Sequence, residues 1–357
     1  MGSCATSRGR GTLATGIDTG IDERDEGLFC RCRRRDGDVV GLLRADVTCV
    51  GGITADLLAR PVDELPRFGR LSLVETVNFT PGGCAHNCAS ALTRLGTSVR
   101  LVGRIGRDPL GERIVAMLQA HGAITDGVRV SPDVGTSTSL GFVAHDGERA
   151  FVHSVGANGR IDAADIDWNA VTASRVLFVG QFGLLGAFDN QVPSVLAEAR
   201  TRGLLTALDT VWDPTGALPE KVRPCLPHLD YFLPSHPEAE AITGLSDPPA
   251  IAASLRAQGV GVVAIKLGRD GCFVADADEA RYVPGFEVEQ VDATGAGDAW
   301  CAGFLRGLLE GNTAFDAAAL GNAVGACCVQ AIGAYAGIRS FADTRVFMGA
   351  AKMVTTR

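Results

Sequence analysis

The stretch "VDATGAGDAWCAGF", Val291 to Phe304, decides how this chain is read. Two glycines and two aspartates lead into a run with apolar residues at Trp300, Cys301, Phe304, Leu305, Leu308 and Leu309. That spacing is one face of an α-helix, with Gly311 as its stop. Gly303 and Gly307, one turn apart, leave room for another element to pack closely. The helix is expected to begin near Ala296, so the peptide N–H groups of Gly295 to Asp298 have no intrahelical acceptors. Together with the helix dipole they form an anion site. Gly295 and Gly297 suggest close backbone approach to a ligand. Asp298 is the puzzle, because a carboxylate repels a bound anion. An acidic first turn also stabilises a helix by itself, but that leaves the two glycines and Thr294 unexplained. An anion hole beside a carboxylate suits phosphoryl transfer instead. The N–H groups stabilise charge on the transferred group, and the carboxylate accepts the proton of the attacking hydroxyl.

Upstream, the apolar runs "RVLFVG", "LLTALDT", "DYFLPS" and "GVVAIKLG" alternate with helical patterns such as "VPSVLAEARTRG", "PEAEAITG" and "AIAASLRAQG". This rhythm predicts βαβ units and a parallel sheet covered by helices on both faces. "DVTCVGG" reads as the first buried strand. "GGCAHNCASALTRLG" reads as a helix with Ala85, Cys88, Ala89, Leu92 and Leu95 on one face and Gly96 at its stop. "SVRLVGRIG" then reads as a strand and "PLGERIVAMLQAHG" as an amphipathic helix. From Val128 to Ser154 short alternating strands, turning at Asp146-Gly147, predict a small separate sheet, with the polar stretch from Pro61 to Pro81 able to join it. Ligands of parallel sheets bind beyond the carboxyl ends of the strands, where Asp56, Asp209, Ser235, Glu238 and Gly268 fall.

The 357 residues are 46% hydrophobic and 21% charged, which suits one large α/β domain or two ordinary ones. A net charge of -8 argues against a nucleic-acid partner, which needs a basic face. The 11 cysteines are scattered, several in apolar runs, and fit free thiols in a reducing cytoplasm. Neither Cys30 and Cys32 nor Cys84 and Cys88 have a second ligand pair at zinc spacing. No apolar run reaches the ~18 residues of a membrane span. Residues 1–44 lack periodicity and read as a disordered extension ahead of a domain over 45–357. "RCRRR" there is not followed by an apolar region, and "MGSCAT" matches a myristoylation pattern in form only. The chain has no GxxxxGK[ST] and no HRD and DFG set, and "CVGGITAD" lacks the GxGxxG of a dinucleotide fold.

With these residues set out, "VDATGAGDAWCAGF" resembles the C-terminal signature of the ribokinase-like (PfkB) carbohydrate kinase family. "NFTPGGCAHNCASALTRLG" resembles its N-terminal signature, and "GGITAD" its first sugar-contact segment. The resemblance runs from about Asp46 to the end. It implies a mostly parallel central sheet flanked by helices, with a small β-sheet lid built from segments near 60–81 and 128–155. It also implies an ATP-dependent carbohydrate kinase using Mg2+, and leaves a K+ site open. Carried over by position, Asp298 matches the catalytic base, and Gly295, Ala296 and Gly297 the anion hole. Thr54, Asp56, Gly82, Gly83, Asn87 and Asp292 match sugar contacts, Asp292 also standing where a monovalent cation is held. Ser235, Lys266, Gly268, Gly271, Thr294 and Asn322 fall at nucleotide contacts. Glu238 matches a residue associated with Mg2+, in an N-x-x-E motif that here begins with Ser235.

Plainer explanations stand beside these. Asn87 could serve as a helix-start residue, Asp56 as a turn former, and Asp209 and Asp213 as loop shapers. Trp212 could line a pocket or cover a core edge. Two other functions compete with the sugar kinase. A nucleoside kinase of the same fold would stack a base on lid aromatics such as Phe79, Phe142 or Phe151, though aromatics are only 6% of the chain. A catalytically silent sugar sensor would have lost the base or the anion hole, and neither is lost. Phosphorylation of an already phosphorylated sugar would want a cation where Cys84 stands. A lid with open edges is able to pair between subunits, so a homodimer is expected.

Overall fold

The computed structural model describes residues 43–145 and 149–355. The expected extension up to residue 42, with Cys30 and Cys32, and the Asp146-Gly147 turn lie outside the described residues. In chain order the strands are β1 (Val47–Gly51), β2 (Thr54–Arg60), β3 (Thr76–Gly82), β4 (Val99–Gly106), β5 (Ile124–Ser131), β6 (Ser137–Val143) and β7 (Arg149–Ser154). They continue as β8 (Val176–Phe182), β9 (Leu205–Thr210), β10 (Tyr231–Phe232), β11 (Val262–Lys266), β12 (Gly271–Ala275) and β13 (Ala280–Pro284). The helices are α1 (Cys84–Arg94), α2 (Pro109–Ala120), α3 (Trp168–Val171), α4 (Val192–Thr201) and α5 (Leu218–Val222). After them come α6 (His236–Thr243), α7 (Pro248–Ala257), α8 (Ala296–Leu309), α9 (Ala314–Cys328) and α10 (Phe341–Ala350).

Nine strands form the large sheet in the order β13-β12-β11-β10-β9-β8-β1-β4-β5. Its pairings are parallel except for β11–β12 and β12–β13, which are antiparallel and form one edge. All of β1 is buried, and its side chains alternate between two cores. Val47 and Cys49 join the core under α1, α2, α8 and α9, while Val50 joins the one under α4 to α7. A fully buried side chain such as Leu92 or Phe178 stabilises by roughly 1.5–3 kcal/mol. The order in which strands are added reverses at β1, between β4 on one side and β8 on the other. There Gly51 has φ 136°, and a Cβ on it would stand 2.1 Å from Gly180 O, so only glycine lets the two strands meet.

The four expected parallel strands are β8 to β11, and Gly96, with φ 74°, ends α1 as predicted. Gly303 and Gly307 do admit a close neighbour: Cβ atoms there would stand 2.9 Å from Gly321 Cα and 2.7 Å from Ala317 Cα of α9.

The second sheet has four strands, β3-β2-β6-β7, with β2 and β6 parallel. Its boundaries differ from expectation. Residues 61–75 hold no strand, and the sheet begins at Thr54. Val128 to Ser131 belong to β5 of the large sheet. β5 is an edge strand, so its half-exposed alternation imitates that of the lid strands.

Candidate active site

The opening stretch builds one wall of a cavity of about 1070 Å³, which Gly295, Ala296, Gly297 and Asp298 line. Asp292 sets the turn before the helix. Its Oδ1 accepts from Thr294 N at 2.9 Å and from the Thr294 hydroxyl at 2.7 Å, and its Oδ2 accepts from Gly333 N at 2.9 Å. Gly295 then adopts φ 72° as the residue before α8. A Cβ on it would stand 2.4 Å from the Ala334 Cβ, so the close approach that requires this glycine is to Ala334 rather than to a ligand. Fewer N–H groups are open here than expected. Ala296 N donates to Ala293 O at 3.2 Å, closing a turn, so its N–H is not available. The N–H groups of Gly295, Gly297 and Asp298 have no acceptor among the described residues, and they are the candidate anion cradle.

Asp298 is 7% exposed, and its Oδ2 accepts from Asn87 Nδ2 at 2.8 Å. The helix-start role for Asn87 is thus overturned: its side chain leaves α1 and crosses to α8, 211 residues away. Burial raises the Asp298 pKa to about 7, and the Asp209 charge adds to the rise. Asn87, Lys266 and the Cys84 thiol oppose it. An ordinary first-turn aspartate would be solvated and acidic, whereas this one is poised to exchange a proton near neutrality.

Lys266 ends β11, and its Nζ donates to Asp209 Oδ1 at 2.7 Å. Burial works against this ammonium, but Asp209, Cys301 and Glu238 outweigh it and hold its pKa well above the usual value. Glu238 has a structural partner that was missed in the sequence. Ser235 and Glu238 form a capping box on α6, with Ser235 N donating to Glu238 Oε2 at 2.9 Å. The S-x-x-E pattern was the available signal. Thr210 Oγ1 also donates to Oε2, at 2.9 Å, while Oε1 has no partner among the described residues. A carboxylate oxygen left open on the cavity wall fits a hard cation held mostly by water and phosphate oxygens.

The other predicted residues divide. Gly268 and Gly271 line the cavity with φ 63° and 100°, shaping the turn after β11. Asn322 lines it too, but its amide is engaged within the protein. It accepts from Trp300 Nε1 at 2.7 Å and donates to Val283 O and Pro284 O at 3.0 Å. On the lid side, Asp56 lies within β2, not in a turn, between Thr80 and Ser139. Burial raises its pKa, and a hydrogen bond from Ser139 opposes the rise. Gly82 leaves its side-chain space to the Asp56 carboxylate, since a Cβ would stand 2.0 Å from it and push it aside. Gly83 has φ 89° and would collide with Gly52 O. The buried Thr54 hydroxyl accepts from Asn158 Nδ2 at 3.3 Å.

One residue of this region was not singled out, and another had no assigned role. Gln181 is the one non-glycine residue with positive φ among the described residues, at 70°. It fills the space over Gly52 and accepts from Cys84 N at 3.3 Å. Asp209, which had no assigned role, is the partner of Lys266. Asp213 shapes a loop, accepting from Thr215 N at 2.8 Å and pairing with Lys221. Trp212 is 59% exposed, so it neither lines a closed pocket nor seals the core. Of the lid aromatics, strand alternation puts Phe79 and Phe142 on the face opposite Asp56, leaving Phe151 on its face.

No helix of the described residues is long and apolar enough to cross a membrane. The family model for pfkB family carbohydrate kinases matches residues 44–340. Fructokinase-2 of Zea mays is 28% identical over 291 residues, covering 76% of this chain and 87% of that protein. Among solved structures, Arabidopsis thaliana ribokinase complexed with ribose and ATP aligns with a TM-score of 0.74 at 23% identity, covering 86% of this chain and 99% of that one. A ribokinase-type structure from Escherichia coli, in complex with ATP and Mg2+, aligns with a TM-score of 0.76 at 23% identity, covering 85% and 99%. These structures share the ribokinase-like fold described above.

Proposed function

The chain belongs to the pfkB family of carbohydrate kinases, and we propose that Asp298 is the general base with which it moves the terminal phosphoryl group of ATP onto a sugar hydroxyl. The observation that carries this is the Asn87–Asp298 hydrogen bond of 2.8 Å, made beside N–H groups that lack acceptors among the described residues. It brings the two signature helices to one point. Asn87 fixes one carboxylate oxygen and so orients the other. Asp298 takes the proton of the acceptor hydroxyl as its oxygen bonds to the terminal phosphorus, and the bond from that phosphorus to ADP breaks. The Gly295, Gly297 and Asp298 N–H groups and the Lys266 ammonium meet the charge on the phosphoryl oxygens. Glu238 would hold Mg2+ through water, and the bound ion supplies charge neutralisation on the phosphates. Gly268, Gly271 and Asn322 wall the nucleotide end, Asn322 by shape because its amide is engaged.

Asp56 and Asn87 serve the acceptor, with Thr54, Gly82 and Gly83 shaping its place beneath the lid. A nucleoside acceptor is less well supported, since only one of three lid aromatics shares the Asp56 face. The eight free thiols of the described residues suit a reducing cytoplasm. The test is a coupled assay for ADP over a panel of sugars and nucleosides, with and without K+. Sugar-dependent turnover is expected, and its absence with every acceptor would favour a silent sensor.

A further inference from the structure

Asp209 is unused by the reaction just described. It is 2% exposed near the carboxyl end of β9, in the wall of the cavity that holds Asp298 and the cradle. A second carboxylate beside a phosphate site adds repulsion in a dehydrated place, so it calls for a reason. The reason lies in its partner. Lys266 Nζ donates to Asp209 Oδ1 at 2.7 Å, and Cys301 Sγ lies 3.8 Å from the same nitrogen. An ammonium has three N–H bonds, so one remains. A Cβ added to Gly297 would stand 3.4 Å from Nζ, which puts the ammonium against the cradle peptide itself.

We propose that Asp209 is a positioning residue, holding the Lys266 ammonium against Gly297 so that its remaining N–H meets the transferred phosphoryl group. The proposal rests on the kinase reading and deepens it. A lysine is a point charge on a flexible four-carbon stem, and a fixed carboxylate removes that freedom. The pairing also explains why Asp209 is tolerated, because buried charges persist when paired and hydrogen-bonded. The competing explanation is that the pair merely ties β9 to β11 across the short strand β10.

A double-mutant cycle separates the two. Asp209→Asn, Lys266→Met and the combined variant are compared in the full chain. The readouts are affinity for a non-hydrolysable imido analogue of ATP and for ADP, each with Mg2+ by calorimetry, together with turnover. Each single variant is expected to lose about tenfold or more in analogue affinity and kcat, with ADP affinity and acceptor KM within about twofold. The combined variant should be no worse than Lys266→Met alone. Equal losses for ADP and the analogue, or additive losses in the combined variant, would overturn the proposal. If Asp209→Asn alone does not fold, the combined variant against Lys266→Met reads the same coupling. Equal discrimination between the nucleotides supports the proposal, and a further loss of analogue affinity refutes it. Failure of the kinase reading would look different: wild-type protein would turn over no acceptor, whatever the binding cycle showed.

Discussion

At Asp298 catalysis and stability pull in opposite directions. A carboxyl group with a pKa of about 7 in the folded chain, against a reference of 3.8, binds its proton more tightly when folded. The folded state is therefore penalised as pH rises from about 4 to 7, with a ceiling of roughly 4 kcal/mol above that. Asp298→Asn should raise Tm at pH 8 and leave it nearly unchanged at pH 4, while kcat falls by about 10²–10⁴-fold, the range of a lost general base. Thermal melts at both pH values and the coupled assay check this, and near-normal turnover would remove Asp298 from the mechanism. Wild-type kcat/KM for the acceptor should fall as pH drops below about 7, as the base becomes protonated. Asn87 holds that pKa down, so Asn87→Ala should move the acidic limb to higher pH in a rate profile. Asp298 and Asn87 were legible because each belongs to a motif of a few adjacent residues. Asp209 was not, since its meaning depends on Lys266, 57 residues on and reached only after three strands pair.

Among the elements, α6 shows how one residue serves two ends. Glu238 caps its own helix through Ser235 N and also lines the cavity. Ser235 in place of the family Asn is therefore a sound helix start, as both are strong caps. Glu238→Gln keeps a carbonyl oxygen for Ser235 N and Thr210 but removes the charge. It should leave Tm nearly unchanged and raise the Mg2+ concentration needed for half-maximal rate several-fold, by analogy with other lost carboxylate contacts to hard cations. An unchanged Mg2+ titration would reduce Glu238 to a cap. Helices with a clear apolar face and a terminal glycine, such as α1 and α2, could be read directly. β12 and β13 escaped because a short antiparallel edge breaks the strand–helix rhythm that reveals the rest. β5 was misplaced because an edge strand and a lid strand present the same alternation.

Over the whole molecule, the alternating rhythm was enough for a parallel sheet covered on both faces. The lid needed pairing information that one chain does not display. Its register separates two faces. Leu57, Phe79, Leu140 and Val152 lie in one row across the four strands, opposite the Asp56 face. Val77, Leu140 and Val152 on that side are 62%, 43% and 60% exposed. We propose that a second copy of the chain covers this face, a homodimer through the lid as expected from its open edges. Leu140→Lys should then shift the sedimentation coefficient to that of a monomer, and a wild-type chain already monomeric at high concentration would refute the pairing. The lid is also joined to the reaction by its connectivity. β3 ends at Gly82 and α1 begins at Cys84, so Gly83 alone separates the roof of the acceptor site from the helix that carries Asn87. Roof and helix therefore share a joint of one residue. A tilt of the roof would pass through this joint to the Asn87 amide and to the carboxylate it holds. On the proposed kinase reading, an acceptor large enough to draw the roof down would aim the base, whereas water, which is too small to do so, would leave it unaimed.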